Sequence, residues 1–227
     1  TSTPAQLAMA RKLMYEYPDI YLQTHLSENH EEISLVLDLF PECKNYLDVY
    51  DRYDLLGERS IFAHCIHLGV DEWSRLSKTN SNLAFCPSSN LFLGSGLFSL
   101  EKADDHNLTV GIGTDVGGGN NFSVLQTLGD AYKVIQLKKE KMSPMRGLYL
   151  ATLGGARSLG LSNKIGNFES GKEADFVCLD SAATPLLEMR IGNCSDLSEE
   201  IFALSMLGDD RVIKETWIAG AKADERD

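Results

Sequence analysis

Basic residues are scarce: 21 Lys and Arg stand against 33 Asp and Glu, a formal charge of −12. That balance speaks against a polyanionic partner, because nucleic-acid binders gather Lys and Arg on one face, and no such stripe is present. Long apolar runs are missing too. No stretch approaches the ~20 residues of a membrane-spanning helix, and no signal-peptide pattern opens the sequence, so a soluble, cytoplasmic protein is expected. Cysteine is sparse, with five residues (Cys43, Cys65, Cys86, Cys178, Cys194) in odd number and without a CxxC pair. Neither a disulfide framework nor a cysteine-rich zinc module is indicated, which favours a reducing compartment. What remains is 227 residues at 43% hydrophobic and 24% charged composition, the profile of an ordinary globular chain.

Periodicity supplies the order of elements. Thr3-Pro4-Ala5-Gln6 has the form of a capping box, and Leu7, Ala10, Leu13 and Tyr17 follow at helical spacing. Strands are expected at Ile20 to Thr24, Ser60 to Ala63, Asn82 to Cys86 and Thr109 to Gly113. Helical or turn-rich segments separate them, one carrying Ile33, Val36, Leu37 and Phe40 on a single face before Pro41. Strand-helix alternation of this kind predicts a parallel sheet covered by helices. Two long helices are expected at Ser123 to Lys139 and Pro144 to Leu161. After Ile165 the pattern changes to short β runs, Asp175 to Asp180 and Val212 to Ile218, flanking a helix near Leu197 to Leu207. A division at 1–164 and 165–227 is therefore expected.

Reactive residues recur at the C-terminal ends of the strands: Thr24-His25, Ala63-His64, Pro87-Ser88-Ser89-Asn90 and Thr114-Asp115. A (β/α)8 barrel builds its active site there, from residues remote in sequence. A doubly wound sheet also gathers function at strand ends, but the first strand-helix turn lacks Gly-x-Gly-x-x-Gly, so the barrel is preferred. His25, His64 and Asp115 together offer imidazole nitrogen and carboxylate oxygen suited to Zn²⁺ or Fe²⁺, an ion that lowers the pKa of water to about 7. Glu28, three residues after His25, is placed for proton transfer.

Each residue also has a plainer explanation. A lone histidine at a strand end is commonly a hydrogen-bonded packing residue, Asp115 before a Gly run suits a turn, and Glu28 suits a helix N-terminus. His30 and His106 read as solvated surface residues, and His67 as a loop or packing residue with a route to contacting His64's surroundings. Gly117-Gly118-Gly119 has no Gly-Lys-Ser/Thr after it, so flexibility or close backbone packing near Asp115 explains it better than a phosphate cradle. Lys138-Lys139-Glu140-Lys141 reads as a solvated helix end.

The segments QTHLSEN, FAHCIHL, CPSSNLFLGSG, GIGTDVGGG, ATLGGARSLGL and IGNFESGKEADFVCLD, in that order, resemble the metal-dependent amidohydrolase superfamily across essentially the whole chain. With the later LGDDRVIKETWIAGAK they resemble its guanine-deaminating branch. The resemblance implies the second half of a (β/α)8 barrel, strands five to eight, with part of a small β-sandwich appended. It implies one divalent metal ion, zinc or alternatively iron, held by His25 and Asp115. Asp115 would also accept a proton from water, Glu28 would carry one to a ring nitrogen, and His64 would steady the reacting centre from beside the ligands. His25, Glu28 and Asp115 would touch a small purine substrate. Ser88-Ser89-Asn90 would be a supporting loop, and the assembly a homodimer.

Two departures stand out. Phe85 occupies a place where many relatives carry His, and the His-x-His pair of the first strand is absent. The second, with Thr1 as the first residue, leads to the expectation that an N-terminal half of the same protein carries the remaining ligands and the contacts that read the purine. Deamination of another amino-heterocycle (a pterin, triazine or adenosine derivative) and a noncatalytic scaffold are the alternatives.

Overall fold

The computed structural model describes residues 2–223; Thr1 and residues 224–227, the outer ends of the two expected segments, lie outside them. Helix α1 (Pro4–Glu16) opens with the expected capping box, since Thr3 Oγ1 accepts from the Gln6 amide at 3.3 Å and Gln6 Oε1 from the Thr3 amide at 2.8 Å. Its packed face differs from the expected one. Leu7, Ala10 and Met14 meet the core, an i, i+3, i+7 set, and this leaves Leu13 and Tyr17 exposed.

The chain continues through β1 (Leu22–Leu26), α2 (His30–Leu39), α3 (Tyr46–Arg52), β2 (Ser60–His64), α4 (Val70–Lys78), β3 (Asn82–Phe85), α5 (Pro87–Phe92), α6 (Leu100–Asp105) and β4 (Val110–Ile112). All four strands pair in parallel, in sequence order, as an open sheet with β1 and β4 at its edges. β1 starts two residues later than expected because its first ladder bond, Leu22 amide to Arg59 carbonyl at 2.9 Å, sets the register of Leu22 against Ser60. His25 therefore lies inside a strand.

Register separates the two faces of this sheet. Thr24, Phe62, Leu83 and Val110 align on one face, His25, Ala63, Ala84 and Gly111 on the other. Phe62, Leu83 and Val110 are buried in a core shared with Tyr50, Trp73, Leu76 and Ile135, each large side chain contributing roughly 1.5–3 kcal/mol. The opposite face carries small side chains beside His25.

After β4 come α7 (Val124–Leu137), α8 (Pro144–Tyr149), a π-helical turn (Leu150–Gly154) and α9 (Gly155–Ser158). One continuous helix from Pro144 to Leu161 was the expectation. The π turn interrupts it where backbone meets β4: a Cβ on Gly154 would lie 2.6 Å from the Val110 carbonyl oxygen, and one on Gly111 3.1 Å from Gly155 Cα. The remainder comprises β5 (Phe176–Leu179), α10 (Pro185–Ile191), α11 (Leu197–Leu207), a 3-10 turn (Asp210–Val212), β6 (Ile213–Ile218) and β7 (Ala221–Lys222). These strands form a separate antiparallel sheet in the order β5-β6-β7. Helix α11 lies where expected and packs on α7 and α8. Helix α10, which begins at the Thr184 cap and Pro185, carries too short an apolar pattern to stand out in the sequence. Among the described residues no helix is long and apolar enough to cross a membrane.

Candidate metal and catalytic centre

The C-terminal ends of the parallel strands turn sharply. Ser27, His64, Cys65 and Asp115 all adopt left-handed backbone angles, with φ of 50°, 70°, 52° and 49°. Such conformations in non-glycine residues cost of order 1–3 kcal/mol each and persist where surrounding contacts enforce them. Here the enforcement is visible: the Ser27 carbonyl accepts from the amides of Ile66 and His67 at 3.2 and 3.0 Å, and the Leu26 carbonyl from Cys65 at 2.9 Å. After Asp115 the chain folds so tightly that a Cβ on Gly119 would lie 2.0 Å from the Thr114 carbonyl oxygen. Gly119 thus serves close backbone packing, whereas the space around Gly117 is open.

These turns bring four expected residues together. One ligand atom each from His25, His64 and Asp115 falls within 4.8 Å of the others. The two imidazoles are parallel, with centroids 5.2 Å apart and 8° between planes. His64 Nε2 stands 3.8 Å from Glu28 Oε2 and 3.8 Å from Asp115 Oδ2. His64 Nδ1 donates to Asn90 Oδ1 at 2.8 Å, which leaves Nε2 turned toward the two carboxylates. That atom is buried without a hydrogen-bond partner. A buried ring nitrogen facing two carboxylate oxygens calls for positive charge among them, and two imidazoles with a carboxylate are a donor set for a borderline divalent cation. The residues present fit such an ion.

Glu28 is placed by both neighbours of its own turn. Its amide donates to Glu32 Oε2 at 3.1 Å, and Asn29 caps α2. Tyr50 supports His25 from the core side, its hydroxyl donating to the His25 carbonyl at 3.0 Å and lying 3.1 Å from Thr24 Oγ1. Burial pushes the Tyr50 hydroxyl above its ordinary range, so it stays a donor. Burial, with the charge of Asp115 and then Glu28 adding to it, pushes the Cys86 thiol up to about 12. Cys86 packs as a neutral group.

Several expectations change here. Ser88-Ser89-Asn90 is not a loop: Pro87 starts α5, from which Asn90 reaches His64, while Ser88 donates to Asp130 at 2.8 Å. Phe85 packs into the core against Phe98, rings 4.7 Å apart, so it makes no polar contact at the site. His30 is exposed, but its ring lies 4.0 Å from that of His67. His106 is half-buried against Trp73 at 5.9 Å, with Nδ1 2.8 Å from the Lys102 carbonyl. Lys138 and Lys139 are exposed at the end of α7, as expected. Sequence reasoning missed Tyr50 and Ser95. Ser95 is 67 positions from Glu28, whose Oε1 accepts from its hydroxyl at 2.8 Å, and no local pattern announces that pairing.

A model of the amidohydrolase family matches residues 1–222. The chain belongs to the amidohydrolase family. Among its amidohydrolase relatives, guanine deaminase of Escherichia coli strain K12 is 53% identical over 226 residues, which is 100% of this chain and 52% of the relative. A solved structure of E. coli guanine deaminase superposes with TM-score 0.97 at 52% identity, over 100% of this chain and 53% of that one. An adenosine deaminase from Xanthomonas campestris with bound zinc superposes with TM-score 0.85 at 25% identity, over 98% of this chain and 49% of its own. The chain spans about half the length of the curated relatives it matches. Among amidohydrolases the fold is therefore that of an α/β protein with a parallel sheet and a separate small antiparallel sheet.

Proposed function

We propose that this chain carries half of the active site of a hydrolase that converts guanine and water to xanthine and ammonia. The observation that carries the proposal is the convergence of His25, Glu28, His64 and Asp115 at the ends of parallel strands in a chain 53% identical to a guanine deaminase. Residues 1–164 would supply strands five to eight of a (β/α)8 barrel, and 165–227 part of a small β-sandwich. The two edges of the parallel sheet, unpaired among the described residues, support this, since closure against further strands is how a barrel removes its edges. The other half of the protein would complete both units and add the remaining metal ligands.

His25 and Asp115 would hold the ion, zinc in preference to iron given the zinc-bound amidohydrolase relative. When bound, a divalent ion supplies Lewis acidity that makes water a nucleophile near neutral pH. The chain's residues divide the proton work. Asp115 Oδ2 accepts a proton from the attacking water. Glu28 delivers a proton to a purine ring nitrogen as the water oxygen bonds to the ring carbon; Asp115 then passes its proton to the departing amine, and Glu28 recovers one from the new hydroxyl as the C–N bond breaks, which leaves a carbonyl and ammonia. His64 Nε2, 3.8 Å from both carboxylates and held through Asn90, steadies the charge that develops between them.

The test is ammonia release by the full-length, metal-loaded protein on guanine, a pterin, a triazine and adenosine. Guanine should be deaminated fastest. Preference for another heterocycle would replace the substrate assignment, and silence on every substrate with metal in place would sink the enzymatic reading.

A further inference from the structure

We propose that Ser95 is a positioning residue for Glu28, and that His67 acts one step behind it by holding the Ser95 backbone. The proposal rests on the reading of Glu28 as the proton carrier. Glu28 has two oxygens with different tasks. Oε1 accepts from Ser95 Oγ at 2.8 Å, which leaves Oε2 as the oxygen facing His64 Nε2 at 3.8 Å. A glutamate has three rotatable bonds, so an oxygen aimed at a reacting atom needs the other oxygen anchored.

Ser95 is equipped to be that anchor because the fold fixes it at three points. Its amide donates to the Asn90 carbonyl at 2.9 Å, its carbonyl accepts from His67 Nε2 at 2.8 Å, and its hydroxyl donates to Glu28. The side chain is buried. The flanking glycines make this seat feasible: Gly94 and Gly96 take φ of 69° and 136°, and a Cβ on Gly96 would come within 2.9 Å of Ile66 Cγ2 and 3.3 Å of His67 Nε2. The segment from Asn90 to Ser95 therefore serves both His64 and Glu28. Its first residue orients His64 through Nδ1, and its last orients Glu28 through Oε1. His67, the second histidine of the FAHCIHL stretch, joins the site through this contact, with the His30 ring 4.0 Å away on another side.

Ser95→Ala in the full-length protein should lower kcat on guanine by about 10- to 100-fold, the range for losing a hydrogen bond to a charged group, with KM and metal content unchanged. Ser95→Thr, which keeps the hydroxyl, should recover most of the rate. In a Glu28→Gln background Ser95→Ala should add little, because its effect passes through Glu28. An unchanged kcat, or an equal further loss in the Glu28→Gln background, overturns the proposal. Crystal structures of the native and Ser95→Ala proteins give a readout independent of activity: the Glu28 carboxylate should lose its single orientation, and retention of it would also overturn the proposal. If the native protein does not deaminate guanine, the functional reading fails while those two structures still decide whether Ser95 aims Glu28.

Discussion

The parallel and antiparallel sheets of this molecule are held in opposite ways. β2 is buried at every position, and Phe62, Leu83 and Phe85 are wholly excluded from solvent beneath the helices. In β5 and β6 no residue is fully buried, and a bulge interrupts their register between Cys178 and Leu179. Their cohesion comes from an aromatic ladder in which Phe176 stacks on Trp217 at 5.6 Å while Phe168 leans on it at 6.1 Å, 86% exposed. Among the described residues, the cluster of potential metal-holding side chains sits on the parallel sheet, with His64 buried, Asp115 half-buried and His25 exposed. The difference teaches where strained, reactive geometry can persist. Left-handed backbone occurs on both sheets, at His64 and Asp115 and at Ala219 in the turn between β6 and β7, but only on the parallel sheet does it gather imidazole and carboxylate groups among the described residues.

That contrast is open to direct challenge. The largest effect is expected from His25→Ala or Asp115→Ala in the full-length protein. Either should empty the metal site and bring ammonia release to background, since an open catalytic position is not held by the ligands left behind. Undiminished metal content on elemental analysis would remove the chemical distinction between the two sheets.

Packing is the next target. Phe62→Ala should cost roughly 3–5 kcal/mol in urea unfolding, because the surrounding core cannot collapse into the space left by a wholly buried ring. A cost under ~1 kcal/mol, the range of volume-conserving swaps, would mean that the parallel core is no better packed than the ladder.

Glu28→Gln sharpens the chemical side. It retains size but not the exchangeable proton, so kcat should fall by ~10² or more with metal still bound. Near-normal turnover would return Glu28 to the role of a helix-start carboxylate. A milder outcome is expected from Trp217→Ala in the antiparallel sheet. Loss of the stacked pair should remove about 0.5–1.5 kcal/mol beyond the burial term and leave metal content and turnover intact.

The smallest perturbation is chemical labelling. Cys43, Cys65 and Cys86 are buried whereas Cys178 and Cys194 are half-exposed. The thiolate is the reactive form, and burial holds Cys86 at about 12, so little thiolate exists at pH 8. Mass spectrometry after iodoacetamide at pH 8 should find Cys178 and Cys194 modified first.

Strand-helix alternation, the chemical residues at strand ends and the change of pattern after Ile165 were all legible along the chain, because they are local or periodic. The misreadings were also physical. The face of α1 shifted to Met14 because two helical registers competed for similar apolar residues. The π turn was invisible because it arises from contact of Gly154 with Val110, far away in sequence. Asn90 was grouped with its neighbours as a loop, since Pro87 marks a turn and a helix start equally well.

By itself the sequence determined which residue types are available and the order in which strands deliver them: His25 and Glu28 first, then His64, then Asp115. Hydrophobic periodicity and helix-start chemistry suffice for that, because they act over a few residues. Only the tertiary structure decided that His64 presents Nε2 to two carboxylates, that Tyr50 braces the His25 carbonyl and that Ser95 holds Glu28. Those relations join residues 25 to 67 positions apart, and no local propensity encodes an angle or a distance across such a span.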